Sequence, residues 1–206
     1  MIKLAKQSEK NSPVEYDRIY LERTKKEPDS FDKRRWKKLL KKYRGSRLID
    51  LGCLDSLVPL YAHERFTAAE IWGIDLAQEA IKSMQAKYPF AIFQVADVYR
   101  TKFPPEYFGY AVAGEIMEHL DNPKPFVEEC FRILRKGGIL AVSVPKEEAV
   151  EPGAVDGERH LWSYTEADLR TLLEPYGEVE ISTIGSRYFP FYKYHFPNLI
   201  AFCKKK

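Results

Sequence analysis

Leu48-Ile49-Asp50-Leu51-Gly52-Cys53 is the stretch on which the fold turns. A short, mostly apolar run closing on a glycine reads as a buried strand that ends in a tight turn. Outward from it the pattern repeats. Residues 57–66 suit a helix with Ser56 as its cap and Pro59 in the first turn, where a missing N–H costs little. Ile71-Trp72-Gly73-Ile74 reads as a second strand ending at Asp75, and residues 77–88 as a helix with Ile81, Met84 and Tyr88 on one face. Residues 91–95 make a third strand that ends near Asp97, and residues 110–116 a fourth. An amphipathic helix over 123–135 carries Val127, Cys130, Phe131 and Leu134; Gly137-Gly138 stops it, and residues 139–144 form a fifth strand. Thr165 with Asp168 predicts a capping box ahead of a helix bearing Leu169, Leu172, Leu173 and Tyr176. Residues 179–184 and 199–203 are strands six and seven.

Strands alternating with helices imply βαβ units, an α/β class and a mostly parallel sheet wound with helices on both faces. The last connection differs. Residues 186–197 hold two prolines, Pro190 and Pro197, in a stretch too short for a helical crossover. The seventh strand is therefore expected to run antiparallel to the sixth.

The chain has 206 residues, 45% hydrophobic and 31% charged, an ordinary globular balance. No apolar run reaches the roughly 18 residues of a membrane span, and residues 1–10 lack a signal-peptide core. Cys53, Cys130 and Cys203 are too scattered for a disulfide framework, which favours a reducing, cytoplasmic setting. The net charge of +3 hides a split: residues 1–44 hold 15 Lys and Arg against 7 Asp and Glu, and the remainder is acidic. Much of that excess lies on a predicted helix over 30–44, capped by Ser30 and ended by Gly45. Trp36, Leu39, Leu40 and Tyr43 make its apolar face. Its lysines are read first as a solvated face; nucleic acid is a possible partner of residues 30–44, though not the favoured one.

Ligands of such sheets bind at the carboxyl ends of the strands, which here carry Asp50, Gly52, Cys53, Asp75, Asp97 and Glu115. Gly52 permits a close backbone approach. Asp75 stands where a carboxylate accepts both hydroxyls of a ribose. Asp97 is placed to accept from an exocyclic amine, and Asp50 to hold a cationic amino group or brace the loop. Leu54 and Leu57 occupy the second and third positions of a dinucleotide fingerprint, so a pyrophosphate cradle is missing and a nucleoside without phosphates suits the loop better.

Together with residues 71–76 and 93–97, Gly114-Glu115-Ile116-Met117-Glu118-His119-Leu120 and Leu134-Arg135-Lys136-Gly137-Gly138, the opening stretch resembles the class I S-adenosylmethionine-dependent methyltransferases, in their methyltransferase type 11-like, small-molecule branch. The resemblance covers about residues 46–205. It implies a Rossmann-like, doubly wound, seven-stranded sheet with an antiparallel last strand, and S-adenosylmethionine as cofactor. It places Asp50, Gly52 and Cys53 by the methionine moiety, Asp75 on the ribose, Leu76 on the adenine face, Asp97 and Val98 at the adenine edge, and Glu115 beside the sulfonium. It also divides the chain into a basic helical lid or extension, residues 1–45, and a methyltransferase domain, residues 46–206. Where the family loop usually reads D-x-G-C-x-x-G, this chain has Leu54, Asp55 and Ser56.

For the acceptor, His119 and His160 are the candidate catalytic imidazoles. Tyr16 and Tyr20, at helical spacing, are candidate lid residues. Tyr188 and Tyr192, in a run of six aromatics within residues 188–196, are candidate pocket walls. The leading expectation is transfer of a methyl group to oxygen or nitrogen of a small molecule by a monomer or homodimer, with no metal. One rival is an RNA 3′-terminal ribose 2′-O-methyltransferase using a metal at Glu115, Glu118, His119 and His160, a set similar to that of the small-RNA enzymes. The other is a degenerate cofactor-binding domain without turnover, suggested by Leu54 and Ser56.

Overall fold

A computed structural model describes residues 2–3, 12–23, 28–67, 69–146, 160–185 and 197–206. The main sheet has seven strands: β2 (Leu48–Leu51), β3 (Ile71–Asp75), β4 (Ile92–Val95), β5 (Phe108–Gly114), β6 (Leu134–Pro145), β8 (Gly177–Ile184) and β9 (Asn198–Lys205). Their spatial order is β4-β3-β2-β5-β6-β9-β8. Strands β4, β3, β2, β5 and β6 pair in parallel, while β9 inserts between β6 and β8 and runs antiparallel to both. The sheet is thus Rossmann-like, with the last strand reversed, as the short proline-containing connection requires. Two further short strands, β1 (Ile2–Lys3) and β7 (Trp162–Ser163), form a separate antiparallel ribbon.

Alternation along the strands divides the core into two layers. Ile49, Leu51, Ala111 and Ala113 face α5 (Pro123–Ile133) and α6 (Glu166–Leu173) through Phe126, Cys130, Leu169 and Leu173. Leu48, Tyr110 and Val112 face the other way. They meet α2 (Ser30–Leu39), α3 (Val58–Arg65) and α4 (Gln78–Lys87) through Trp36, Leu39, Val58, Ala62, Ile81 and Met84. A period of two on the strands with helices on both faces is what a doubly wound sheet demands.

Four local expectations need correction. The Asp29 carboxylate, not Ser30, caps α2, accepting from the N–H groups of Phe31 and Asp32 at 2.7 and 2.9 Å. That helix ends at Leu39 rather than running on to Gly45, because the buried Tyr110 hydroxyl donates to the Leu39 carbonyl and takes up a C-terminal acceptor. Gly137-Gly138 does not separate helix from strand: β6 begins at Leu134, directly after α5, and passes through both glycines. At α3 the cap falls one residue later than read: Leu57 is the N-cap, and Ser56 Oγ, from the position before it, accepts from Val58 N at 2.9 Å. At α6 the expected chemistry holds, since Thr165 with Asp168 forms a complete capping box.

Helix α1 (Pro13–Arg23) lies on α4. The Asp17 carboxylate accepts from Glu79 N at 2.8 Å, so it satisfies one of the orphan donors at the α4 N-terminus. Among the described residues no helix is long and apolar enough to cross a membrane.

Candidate active site

The carboxyl ends of β2, β3 and β5 open into a cavity of about 420 Å³. It is lined from the sheet by Gly52, Cys53, Leu54, Asp75, Leu76, Val98 and Glu115, from the far side by His119 and His160, and from the N-terminal helices by Tyr16, Asp32, Arg35 and Trp36. A volume of this order suits a ligand of nucleoside or small-cofactor size.

The loop after β2 is held by its own backbone. Gly52 N and Cys53 N both donate to the Ile74 carbonyl, at 2.9 and 3.0 Å, and Leu54 N donates to Asp75 Oδ2 at 3.0 Å. Three consecutive amides are thereby engaged, which leaves none of them for a pyrophosphate and agrees with the missing fingerprint. Gly52 has φ +72, and a Cβ there would sit 2.5 Å from the Ile116 side chain, so both conformation and space require glycine. Leu54 takes a left-handed backbone at φ +31, uncommon for a residue with a side chain. In return its side chain packs against the cluster of Tyr20, Ala77 and Ala80, beside Tyr16.

Asp75 ends β3 and is buried, with Oδ1 accepting from Ala77 N at 2.9 Å and Oδ2 from Leu54 N. Each oxygen keeps a second lone-pair site, so two ribose hydroxyls can still be accepted. Burial raises its pKa, and the bonds from Ala77 and Leu54 oppose the rise. Asp50 is buried behind the loop and does not line the cavity. Burial pushes its carboxyl up to about 7, with a Ser56 hydrogen bond opposing and the Asp75 charge adding. Its Oδ2 has no hydrogen-bond partner. Asp97 is exposed, accepts from Tyr99 N at 2.8 Å in a local turn, and also lies off the cavity lining.

Glu115 is held from several sides. Its Oε1 accepts from Ser143 Oγ at 2.8 Å and from Asn198 Nδ2 at 2.7 Å, and its Oε2 lies 3.6 Å from the Arg35 guanidinium. Its backbone is left-handed at φ +55, an uncommon state for glutamate that the surrounding bonds maintain. Arg35 also meets Asp32 at 2.9 Å. Arg35 and Asp32 are site residues that the sequence reading missed. The signal was present: Phe31, Arg35 and Leu39 follow at i, i+4 and i+8, so an arginine stands in the buried stripe of α2.

The His119 and His160 rings meet edge to face with centroids 4.9 Å apart. They come from two segments tied together by Leu161 N to the Glu118 carbonyl at 2.6 Å, Trp162 Nε1 to the Leu120 carbonyl at 2.6 Å and the Tyr164 hydroxyl to the Met117 carbonyl at 3.0 Å. Of the candidate lid tyrosines, Tyr16 lines the cavity and Tyr20 is buried behind it against Ala77 and Ala80. Tyr188 and Tyr192 lie outside the described residues.

A family model described as a methyltransferase domain matches residues 49–142. The chain is 29% identical over 154 residues to the "probable S-adenosylmethionine-dependent methyltransferase" of Mycolicibacterium smegmatis, covering 73% of this chain and 58% of that one. It is 27% identical over 173 residues to the mitochondrial ubiquinone biosynthesis O-methyltransferase of Rattus norvegicus, covering 73% and 49%. Its backbone matches the crystal structure of the [4+2]-cyclase SpnF with a TM-score of 0.68 at 19% identity, over 84% and 80% of the two chains, a likeness of fold alone. The chain spans about half the length of the curated relatives it matches.

Proposed function

We propose that the chain is a class I S-adenosylmethionine-dependent methyltransferase of the type 11-like branch, as its matched methyltransferase domain and relatives support, and that it methylates an oxygen or nitrogen atom of a small-molecule acceptor. The observation that carries this reading is Asp75: a buried carboxylate at the end of β3, lining the cavity, with acceptor capacity left for two hydroxyls. The residues present fit S-adenosylmethionine. The glycine-backed loop allows close approach, its amides are spent within the fold as a phosphate-free nucleoside permits, and apolar Leu76 and Val98 line the same space.

When bound, S-adenosylmethionine supplies a sulfonium methyl group already activated for displacement. In this reading Asp75 accepts from the ribose hydroxyls and Leu76 packs on the adenine, with Val98 and Asp97 toward its edge. The backbone of Gly52 and Cys53 borders the methionine moiety, and Asp50 braces that loop from behind. Glu115 sets a negative charge near the sulfonium. Tyr16 and Tyr20 on α1 close the cavity against water. Positioning and desolvation then supply most of the rate, because displacement needs alignment more than acid–base help. His119 and His160 are assigned to activating the acceptor, where neutral imidazole suits the removal of a hydroxyl proton.

The test is Asp75→Ala against S-adenosylhomocysteine in a calorimeter. Two hydrogen bonds to a charged acceptor, each contributing about 1.5–3 kcal/mol, predict a loss of affinity of roughly 100-fold or more. Unchanged affinity would refute the assignment.

A further inference from the structure

We propose that Glu118, His119 and His160 form a binding site for a divalent transition-metal cation within the same cavity. One ligand atom from each residue lies within 4.8 Å of the other two. Bonds of about 2.0–2.2 Å to a common ion bring such atoms to roughly 3–3.6 Å from one another, so small side-chain rotations complete the site. The independent observation is Glu118 itself. Its side chain is 1% exposed, and neither carboxylate oxygen has a hydrogen-bond partner.

A lone carboxylate buried in that way is costly unless it is protonated or meets a cation. No described cation meets it: Arg35 reaches Asp32 and Glu115, and its Nε is itself unpartnered. The formal charges of Asp32, Glu115, Glu118 and Arg35 leave an excess of two negatives, which a divalent ion balances.

The three ligands differ from the four expected of a metal-using RNA enzyme. Glu115 is not in the cluster, because Ser143, Asn198 and Arg35 already engage its carboxylate. Two imidazoles and one carboxylate favour zinc, manganese, iron or cobalt over magnesium or calcium, which prefer all-oxygen shells. The supports are rigid, since the turn carrying Glu118 and His119 is stapled to residues 161–164 by the three hydrogen bonds given above. Three protein ligands leave coordination positions open for an acceptor oxygen, whose hydroxyl the ion would acidify. This use of the ion rests on the methyltransferase reading, replaces the proton-accepting role given there to His119 and His160, since a ring nitrogen bound to the ion no longer takes a proton, and narrows the acceptor to an alcohol or phenol; the site itself does not depend on it.

The experiment uses the full chain stripped with chelator, then titrated with Co²⁺ and followed by visible absorption, with S-adenosylhomocysteine calorimetry on the same preparation. One Co²⁺ per chain is expected, with ligand-field bands that disappear in Glu118→Gln and in His160→Ala. Loss of a direct ligand should weaken binding by more than the roughly 10–100-fold typical of outer-shell changes. His160→Ala carries the test if Glu118→Gln fails to fold. Absence of stoichiometric Co²⁺ binding, or bands unaltered in the folded variants, would overturn the site. Cofactor-product binding without Co²⁺ binding would overturn this site and leave the proposed function standing. Co²⁺ binding without cofactor-product binding would support the site and remove the proposed function.

Discussion

At Asp50 the pressures on a buried carboxylate give a measurable consequence. Its pKa is about 7 in the folded chain and about 4 in an unfolded one. A carboxyl raised on folding contributes stability that is complete below the unfolded value and is lost as the pH rises through the folded value. Stability should therefore decline between pH 4 and 7, and Asp50→Asn should flatten part of that decline in urea titrations across the range. A profile identical in both proteins would show that Asp50 is not responsible. Sequence and structure also meet at this scale. Gly52, Asp75 and Glu115 were legible because strand ends mark the ligand edge of such a sheet, and Leu76 and Val98 only through the family resemblance. That Asp50 and Asp97 lie off the cavity lining was not legible, because alternation gives a side chain's face and not the loop that covers it. The left-handed backbone of Leu54 was equally hidden, since leucine gives no sign of tolerating it.

At the scale of elements, α2 shows how a charge run misleads. Its lysines and arginines suggest an appendage, yet Trp36 and Leu39 are buried in the sheet's core, Phe31 is buried beside them on the helix, and Arg35 and Asp32 reach the cavity. Leu39→Ala should cost about 2–5 kcal/mol of unfolding free energy, the range for emptying a packed leucine site. Changing the exposed Lys33, Arg34 and Lys37 to glutamine should change stability by only about 0.5 kcal/mol per site. Urea unfolding of both variants decides the matter, and equal small effects would mean that α2 is not part of the core. The α2 boundary was missed for a tertiary reason, the Tyr110 hydroxyl on the Leu39 carbonyl from 71 residues away. The α6 start was found because its cap is wholly local. The early start of β6 at Leu134 was missed because paired glycines signal a break, whereas here β5 pairs with β6 on both sides of them.

For the whole molecule, the alternation of strands and helices, the motif order and one short proline-containing connection were enough to predict seven strands with the last reversed. Glu118 and His119, from the turn after β5, and His160, from the segment before β7, were expected together through the likeness to the small-RNA enzymes. What could not be read is that α2 brings Arg35 into the same cavity, which only the closed fold does. The central claim is that this cavity holds S-adenosylmethionine, and calorimetric titration of the full chain with S-adenosylhomocysteine tests it most directly. The account predicts saturable binding at one site per chain and, at ligand concentrations about 100 times Kd, a stabilisation of about 2.7 kcal/mol. No binding at millimolar ligand would contradict it.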